Sequence, residues 1–151
     1  MTGTNFDHTS LLVVGAGPAG LACAIAARKA DPDREICVID KGAEIGNHNL
    51  SGAVLEPGAV ERLLELGGQA WREDDELRQI LARRVERDDV LFLPGRSLAL
   101  SVSPAIRLAA LLGLGFGQMR HTGDYIVSVS RLAGWLGRQA RAMGIEVLTG
   151  F

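Results

Sequence analysis

The stretch "LLVVGAGPAGLACAIAARK", Leu11 to Lys29, constrains this chain more than any other. Four apolar residues run into three glycines, and an alanine-rich run comes next. A short apolar run that stops at a glycine has the pattern of a strand buried on both faces. Gly15, Ala16, Gly17, Pro18, Ala19 and Gly20 fit G-x-G-x-x-G. In that fingerprint the first glycine permits the tight turn out of the strand. The second lets the backbone approach a pyrophosphate, and the third lets the following helix pack closely on the sheet. Pro18 suits an early helix position, where its missing N–H costs nothing, and Ala19–Lys29 is rich in strong helix formers. A pyrophosphate would lie at the helix N-terminus, where free N–H groups and the dipole favour negative charge.

The residues after this helix strengthen the nucleotide reading. The break at Asp31-Pro32-Asp33 ends the helix, and "REICVID", Arg34–Asp40, is a second strand that finishes on a carboxylate. Asp40 stands 20 residues beyond Gly20, the place where an acid accepts from an adenosine ribose. Strand, glycine turn, helix, strand and acid in this order predict a Rossmann-type α/β dinucleotide-binding domain rather than a βαβ unit without ligand. FAD and NAD share the adenosine diphosphate, so the fingerprint leaves both open. An aspartate at position 40 argues against the 2′-phosphate of NADP.

Beyond Asp40 the chain enters a long glycine-punctuated loop, "KGAEIGNHNLSGAVLEPGA", of a length that usually serves a function or motion. A short helix is expected over Gly58–Leu66, ended by Gly67-Gly68. "WREDDELRQILARR", Trp71–Arg84, reads as one charged surface helix with Trp71, Leu77, Ile80 and Leu81 on its buried side. A hairpin comes next, with Val90–Leu93 turning at Pro94-Gly95 and returning through Leu98, Leu100 and Val102. Ser103-Pro104 opens a helix to about Leu112. The apolar run continuing through Leu114, Phe116 and Met119 can either fill a core or lie on a membrane surface. It is too short to cross one. Tyr125–Val129 is the next strand, with Ser130 capping a helix over Arg131–Met143 whose Leu132, Trp135, Leu136, Ala140 and Met143 share a face. Gly144 stops that helix, and Ile145–Leu148 is a third parallel strand. Residues 1–10 are expected to be disordered, and residues 11–151 to form one domain.

Composition excludes several classes. The chain of 151 residues has a formal charge of −2, so no basic face points to nucleic acid. Its start has neither the basic and apolar regions of a secretory signal nor the arginines of an organelle-targeting segment, leaving a cytoplasmic default. Cys23 and Cys37 are too few and too far apart for a disulfide framework or metal knuckle and are expected to be buried thiols. His8, His48 and His121 have no metal-site spacing. No residue is assigned a catalytic or metal-ligating role.

From Leu11 to Phe151 the sequence resembles the N-terminal part of the electron transfer flavoprotein–ubiquinone oxidoreductase family. The matching phrases are "VVGAGPAGLACAI", "ICVIDKGAEIGNHNLSGAVLEPGA", "LFL" and "MRHTGDYIVSVSRLAGWLGRQARAMGIEVLTGF". The first is shared by many flavoproteins, whereas the second and fourth are far more specific. The resemblance implies an FAD-binding domain in which Gly15, Ala16, Gly17, Pro18, Ala19 and Gly20 cradle the pyrophosphate and Asp40 takes the ribose. It places Lys41 beside that ribose and the Ser51-Gly52 turn near the flavin.

The resemblance further implies electron transfer from reduced electron transfer flavoprotein, through FAD and a [4Fe–4S] cluster, to ubiquinone. The setting would be peripheral, at the cytoplasmic face of an inner membrane. Family members are several hundred residues long, and their cluster and quinone sites lie well past position 151. This chain has no four cysteines to hold a cluster, so its domain is expected to be truncated at the C-terminal end. The sequence departs from the family at Asp124, where Asn is usual, at Asp40, where Glu is common, and in the longer Pro104–Gln118 segment. Flavin hydroxylases and geranylgeranyl-reductase-like enzymes of the same fold are the rival reading, though Val129 and Ala133 stand where hydroxylases tend to carry Arg and Asp. A truncated, non-catalytic nucleotide-binding remnant is a second rival.

Overall fold

The computed structural model describes residues 9–114 and 121–151. Strand β1 (Leu11–Val14) leads through the glycine turn into helix α1 (Pro18–Ala30), and β2 (Ile36–Asp40) returns parallel to β1. Far along the chain, helix α6 (Val129–Ala142) and strand β7 (Glu146–Thr149) repeat the crossover, and β7 pairs parallel with β2. The sheet order is therefore β1-β2-β7. Because α1 and α6 each run antiparallel to the strand they accompany, their N-termini lie at the same, carboxyl edge of the sheet. Such an edge is where open α/β sheets place their ligands. The expected α/β Rossmann-like architecture is present.

Both helices cover one face of this sheet. The row Val13, Val38 and Val147 is buried against Leu21, Ala24 and Ile25 of α1 and Leu132, Leu136 and Ala140 of α6. The other face differs from expectation. Leu12 and Val14 are 50% and 78% exposed, while Val13 between them is 9% exposed. Side chains alternate along a strand, and among the described residues no helix lies over the Leu12 and Val14 side. There a groove of about 580 Å³ runs over Leu12, Cys37, Ile39, Glu146, Leu148 and Phe151.

Between the two crossovers lies a mixed excursion. Strand β3 (Ser51–Leu55), in the stretch expected to be loop, pairs antiparallel with β6 (Tyr125–Ser128). Helix α2 (Pro57–Gly67) comes directly after β3. The single helix expected over Trp71–Arg84 is two short ones, α3 (Gln69–Glu73) and α4 (Asp75–Ile80). Asp74 makes the break. Its Oδ1 accepts from the Leu77 N–H at 2.7 Å, capping α4, and from the Trp135 indole N–H of α6 at 3.1 Å. A polar side chain that caps a helix competes with continuing the preceding one. Trp71 then packs edge-on against Trp135, with centroids 4.7 Å apart. Trp71, Leu77 and Ile80 are buried as their spacing suggests.

The hairpin is shorter than expected, with β4 (Leu91–Phe92) pairing β5 (Leu100–Ser101). Helix α5 (Ser103–Leu111) leads on from it, with Leu108 and Leu111 exposed together with Leu112 beyond. The expected continuation through Phe116 and Met119 lies outside the described residues, as do residues 1–8 with His8. No described helix is long and apolar enough to cross a membrane.

Two local expectations are corrected. Ser128, not Ser130, caps α6: its hydroxyl accepts from the Arg131 N–H at 3.4 Å. Ser130 instead backs onto Gly46 of the loop after β2. Cys23 is exposed and Cys37 buried. The buried positions of α1 are Leu21, Ala24 and Ile25, which leaves Cys23 on the opposite side of the helix.

Candidate functional site

The glycine turn is built from backbone. The Gly15 N–H donates to the Ile39 carbonyl at 2.7 Å, continuing the β1–β2 pairing as the chain turns away. Gly15 makes that turn at φ +107°, a conformation that side chains disfavour. At Gly20 a Cβ would lie 2.0 Å from the Gly15 carbonyl oxygen and 3.2 Å from Val13 Cγ1. The fold itself requires glycine at both positions.

Gly17 is different. It caps α1 at φ −76°, ψ 174°, extended backbone open to any residue, and a Cβ there would meet nothing within 4 Å. Among the described residues, nothing requires glycine at this position. The space its Cβ would enter lies ahead of the first turn of α1, which carries no acidic residue. The unpaired N–H groups of a helix N-terminus attract anions.

Asp40 closes the site from β2. Its Oδ2 accepts from the Ala16 N–H and its Oδ1 from the Gly42 N–H, each at 2.7 Å. One carboxylate therefore clasps the glycine turn to the loop beyond β2. These bonds hold the carboxyl below the ordinary aspartate range, the Gly42 N–H contributing most and the Ala16 N–H next, with His48 and Lys41 adding positive charge. Each carboxylate oxygen has a second lone pair, so Asp40 can keep the clasp and still accept from a ribose hydroxyl. The residues present thus fit an adenosine diphosphate: open approach at Gly17, a helix N-terminus, and an anionic acceptor at the end of β2.

The remaining residues named from sequence are placed less closely together. Pro18 and Ala19 are the first two residues of α1. Lys41 is exposed beside Asp40. Ser51 and Gly52 lie on β3, where a bulge opposite Ser128 is formed with Gly52 at φ +83°. The β3–β6 ribbon is a sheet separate from β1-β2-β7. Sequence reasoning missed the bond from Asp40 to Ala16, for which the recurring spacing between the turn and the acid is the available signal. Among the described residues, no group of three or more His, Cys, Asp or Glu side chains can hold a metal ion. His121 Nδ1 lies 3.1 Å from Oδ2 of buried Asp124, where Asp replaces the family's usual Asn.

Comparison with known proteins agrees with this geometry. The model of the NAD(P)-binding Rossmann-like domain matches residues 13–84. The mitochondrial electron transfer flavoprotein–ubiquinone oxidoreductase of Dictyostelium discoideum is 38% identical over 150 residues, covering 96% of this chain and 22% of that protein. The chain is homologous to the N-terminal portion of this oxidoreductase. It spans about a fifth of the length of that relative.

Solved structures support the fold alone. A geranylgeranyl bacteriochlorophyll reductase-like protein from Thermoplasma acidophilum superposes with a TM-score of 0.58 at 22% identity, over 93% of this chain and 29% of that one. CtdE in complex with FAD and a substrate gives 0.55 at 15% identity, over 93% of this chain and 29% of that one.

Proposed function

We propose that this chain binds FAD through its glycine turn. In this reading it is the FAD-binding front portion of an oxidoreductase passing electrons from reduced electron transfer flavoprotein to ubiquinone. The observation that carries the reading is Gly17, a glycine the fold does not need, set ahead of a helix N-terminus and beside a clasped carboxylate. Gly15 to Gly20 would hold the pyrophosphate, with Asp40 on the adenosine ribose and Lys41 next to it. Ser51 and Gly52 would face the flavin half. FAD, once bound, would supply the electron uptake and release. The work of these residues is to bind it, orient it and keep the turn in shape. The homology to an electron transfer flavoprotein–ubiquinone oxidoreductase favours FAD over NAD. Partners, cluster and quinone rest on that relative's name and family, not on residues of this chain. The exposed Leu108 and Leu111 of α5, with Leu112 just beyond it, would supply a peripheral membrane contact.

Gly17→Ala tests the reading. The backbone at residue 17 accepts alanine, so the variant should fold and melt close to the parent temperature, the gain of up to ~1 kcal/mol from the stiffer unfolded chain being offset by alanine's poorer capping of α1. Its affinity for FAD should fall at least ~10-fold, because the methyl occupies the pyrophosphate's approach. Fluorescence titration of FAD against both proteins, with melting curves as control, decides the matter. Equal affinity in the variant would remove the phosphate cradle.

A further inference from the structure

Asp40 and the glycine turn have one neighbouring side chain without a role, His48. The two oxygens of Asp40 reach in different directions, Oδ2 to the Ala16 N–H beside Gly17 and Oδ1 to the Gly42 N–H. His48 belongs to the second flank. Gly42 is buried, and a Cβ placed on it would meet Asp40 Oδ1 at 3.0 Å, the Glu44 carbonyl oxygen at 3.1 Å and His48 Nδ1 at 3.3 Å. One point thus touches both the carboxylate and the imidazole, so the two are no further apart than those short distances laid end to end. The imidazole adds to the positive charge that Asp40 feels, yet it is not one of the groups that bond to the carboxylate.

The loop holds this ring in place. The Gly42 carbonyl accepts from the Gly150 N–H at 2.8 Å and the Asp40 carbonyl from the Phe151 N–H at 3.2 Å, tying the start of the loop to the residues after β7. Gly46 turns at φ +91°, where a Cβ would lie 2.7 Å from the Ser130 carbonyl oxygen of α6. The Asn47 N–H donates to the Glu44 carbonyl at 3.3 Å, and the Asn49 N–H to the Gly46 carbonyl at 3.0 Å. The backbone is therefore bonded on both sides of His48, while the side chain itself is exposed.

A ribose diol brings hydroxyls that both donate and accept. An ionised Asp40 can only accept, whereas an imidazole carries an N–H in either charge state. The pair supplies between them what a diol needs. We infer that His48 is the second ribose contact of the site: its ring takes one hydroxyl of a diol whose other hydroxyl rests on Asp40, with the pyrophosphate's approach at Gly17 on the other flank. This assignment rests on the proposed nucleotide function and adds a residue which that function does not use. It makes the adenosine end of the site a two-sided clamp rather than a single acid.

The test compares ADP with 2′,3′-dideoxy-ADP on the full chain and on His48→Ala. One hydrogen bond lost from an open site corresponds to a roughly threefold to tenfold change in affinity. ADP should weaken by that factor in the variant. The dideoxy ligand has no diol to hold and should bind both proteins alike. Damage to the loop would weaken the two ligands equally, and that result overturns the inference, as does an unchanged affinity for ADP.

A second measurement depends on no variant's affinity. The Hε1 proton of His48, one of three histidines in the chain, should shift saturably as ADP is added and less with the dideoxy ligand. An unmoved signal at saturating ADP overturns the inference. ADP that binds the parent and weakens in Gly17→Ala, but ignores His48, leaves the phosphate cradle standing and removes the clamp. Failure of ADP to bind the parent removes both.

Discussion

The two faces of the parallel sheet are made of the same kinds of residue and meet opposite fates. On one, Val13, Val38 and Val147 lie under α1 and α6. On the other, Val14, Ile39 and Leu148 form an equally apolar row beside the open groove. Apolar composition thus records what a strand is suited to touch, while the covering elements decide what it does touch. The run "LLVV" is written for burial on both faces, and the described residues bury one.

Substitution can break this comparison outright. Leu21→Ala, a fully buried α1 position, should cost roughly 2–5 kcal/mol. Val14→Ala on the open face should stay within about 0.5 kcal/mol. Chemical denaturation of both variants measures the gap. A cost of about 2 kcal/mol or more at Val14 would mean that the second face is covered too.

A smaller effect is expected at Asp40, where the sheet gives way to the site. Its carboxyl is depressed by the Gly42 and Ala16 N–H groups, in that order. A group lowered on folding stabilises fully above its unfolded value, and that contribution is lost as pH falls through the folded one. The parent's melting temperature should therefore drop faster below about pH 4 than that of Asp40→Asn. At neutral pH the variant should be less stable by about 1 kcal/mol. Parallel acid profiles would refute the clasp.

The smallest effect is a rate. Cys37 belongs to the open-face row yet is buried, and burial first, then the neighbouring Glu146 charge, pushes its thiol upward. Cys23 is exposed on α1. A maleimide should label Cys23 at least ~10 times faster than Cys37. Comparable rates would show the groove reaching further across the sheet than the structure has it.

The features legible in the sequence are those with local determinants. The β1, glycine turn, α1 and β2 units, and Asp40 after them, rest on neighbouring residues and were readable, as were α6 and β7. Strand β3 was not, because "SGAVL" becomes a strand only through β6, more than 70 residues on. The break in the Trp71–Arg84 helix depends on an indole 61 residues from Asp74. Ser128 and Ser130 are both competent caps, and no local rule ranks them. Within the site, the turn at Gly15, the close packing at Gly20 and the position of the acid at the end of β2 were readable from spacing. The contrast between the fold-required Gly15 and Gly20 and the unconstrained Gly17 needed coordinates.

Asp74 has a consequence for how this sequence can drift. One oxygen atom both starts α4 and receives the Trp135 indole, so the two duties cannot be inherited separately. Serine, threonine and asparagine are ordinary exchanges at a helix start. The two hydroxyl residues are a single bond too short to serve the cap and the indole together. Asparagine alone has the length, provided its oxygen takes the Oδ1 position. Descendants that lose Asp74 should therefore carry asparagine there, or a changed residue at 135. The excursion and the nucleotide fold would then be seen to evolve as one unit joined at a single hydrogen-bond acceptor.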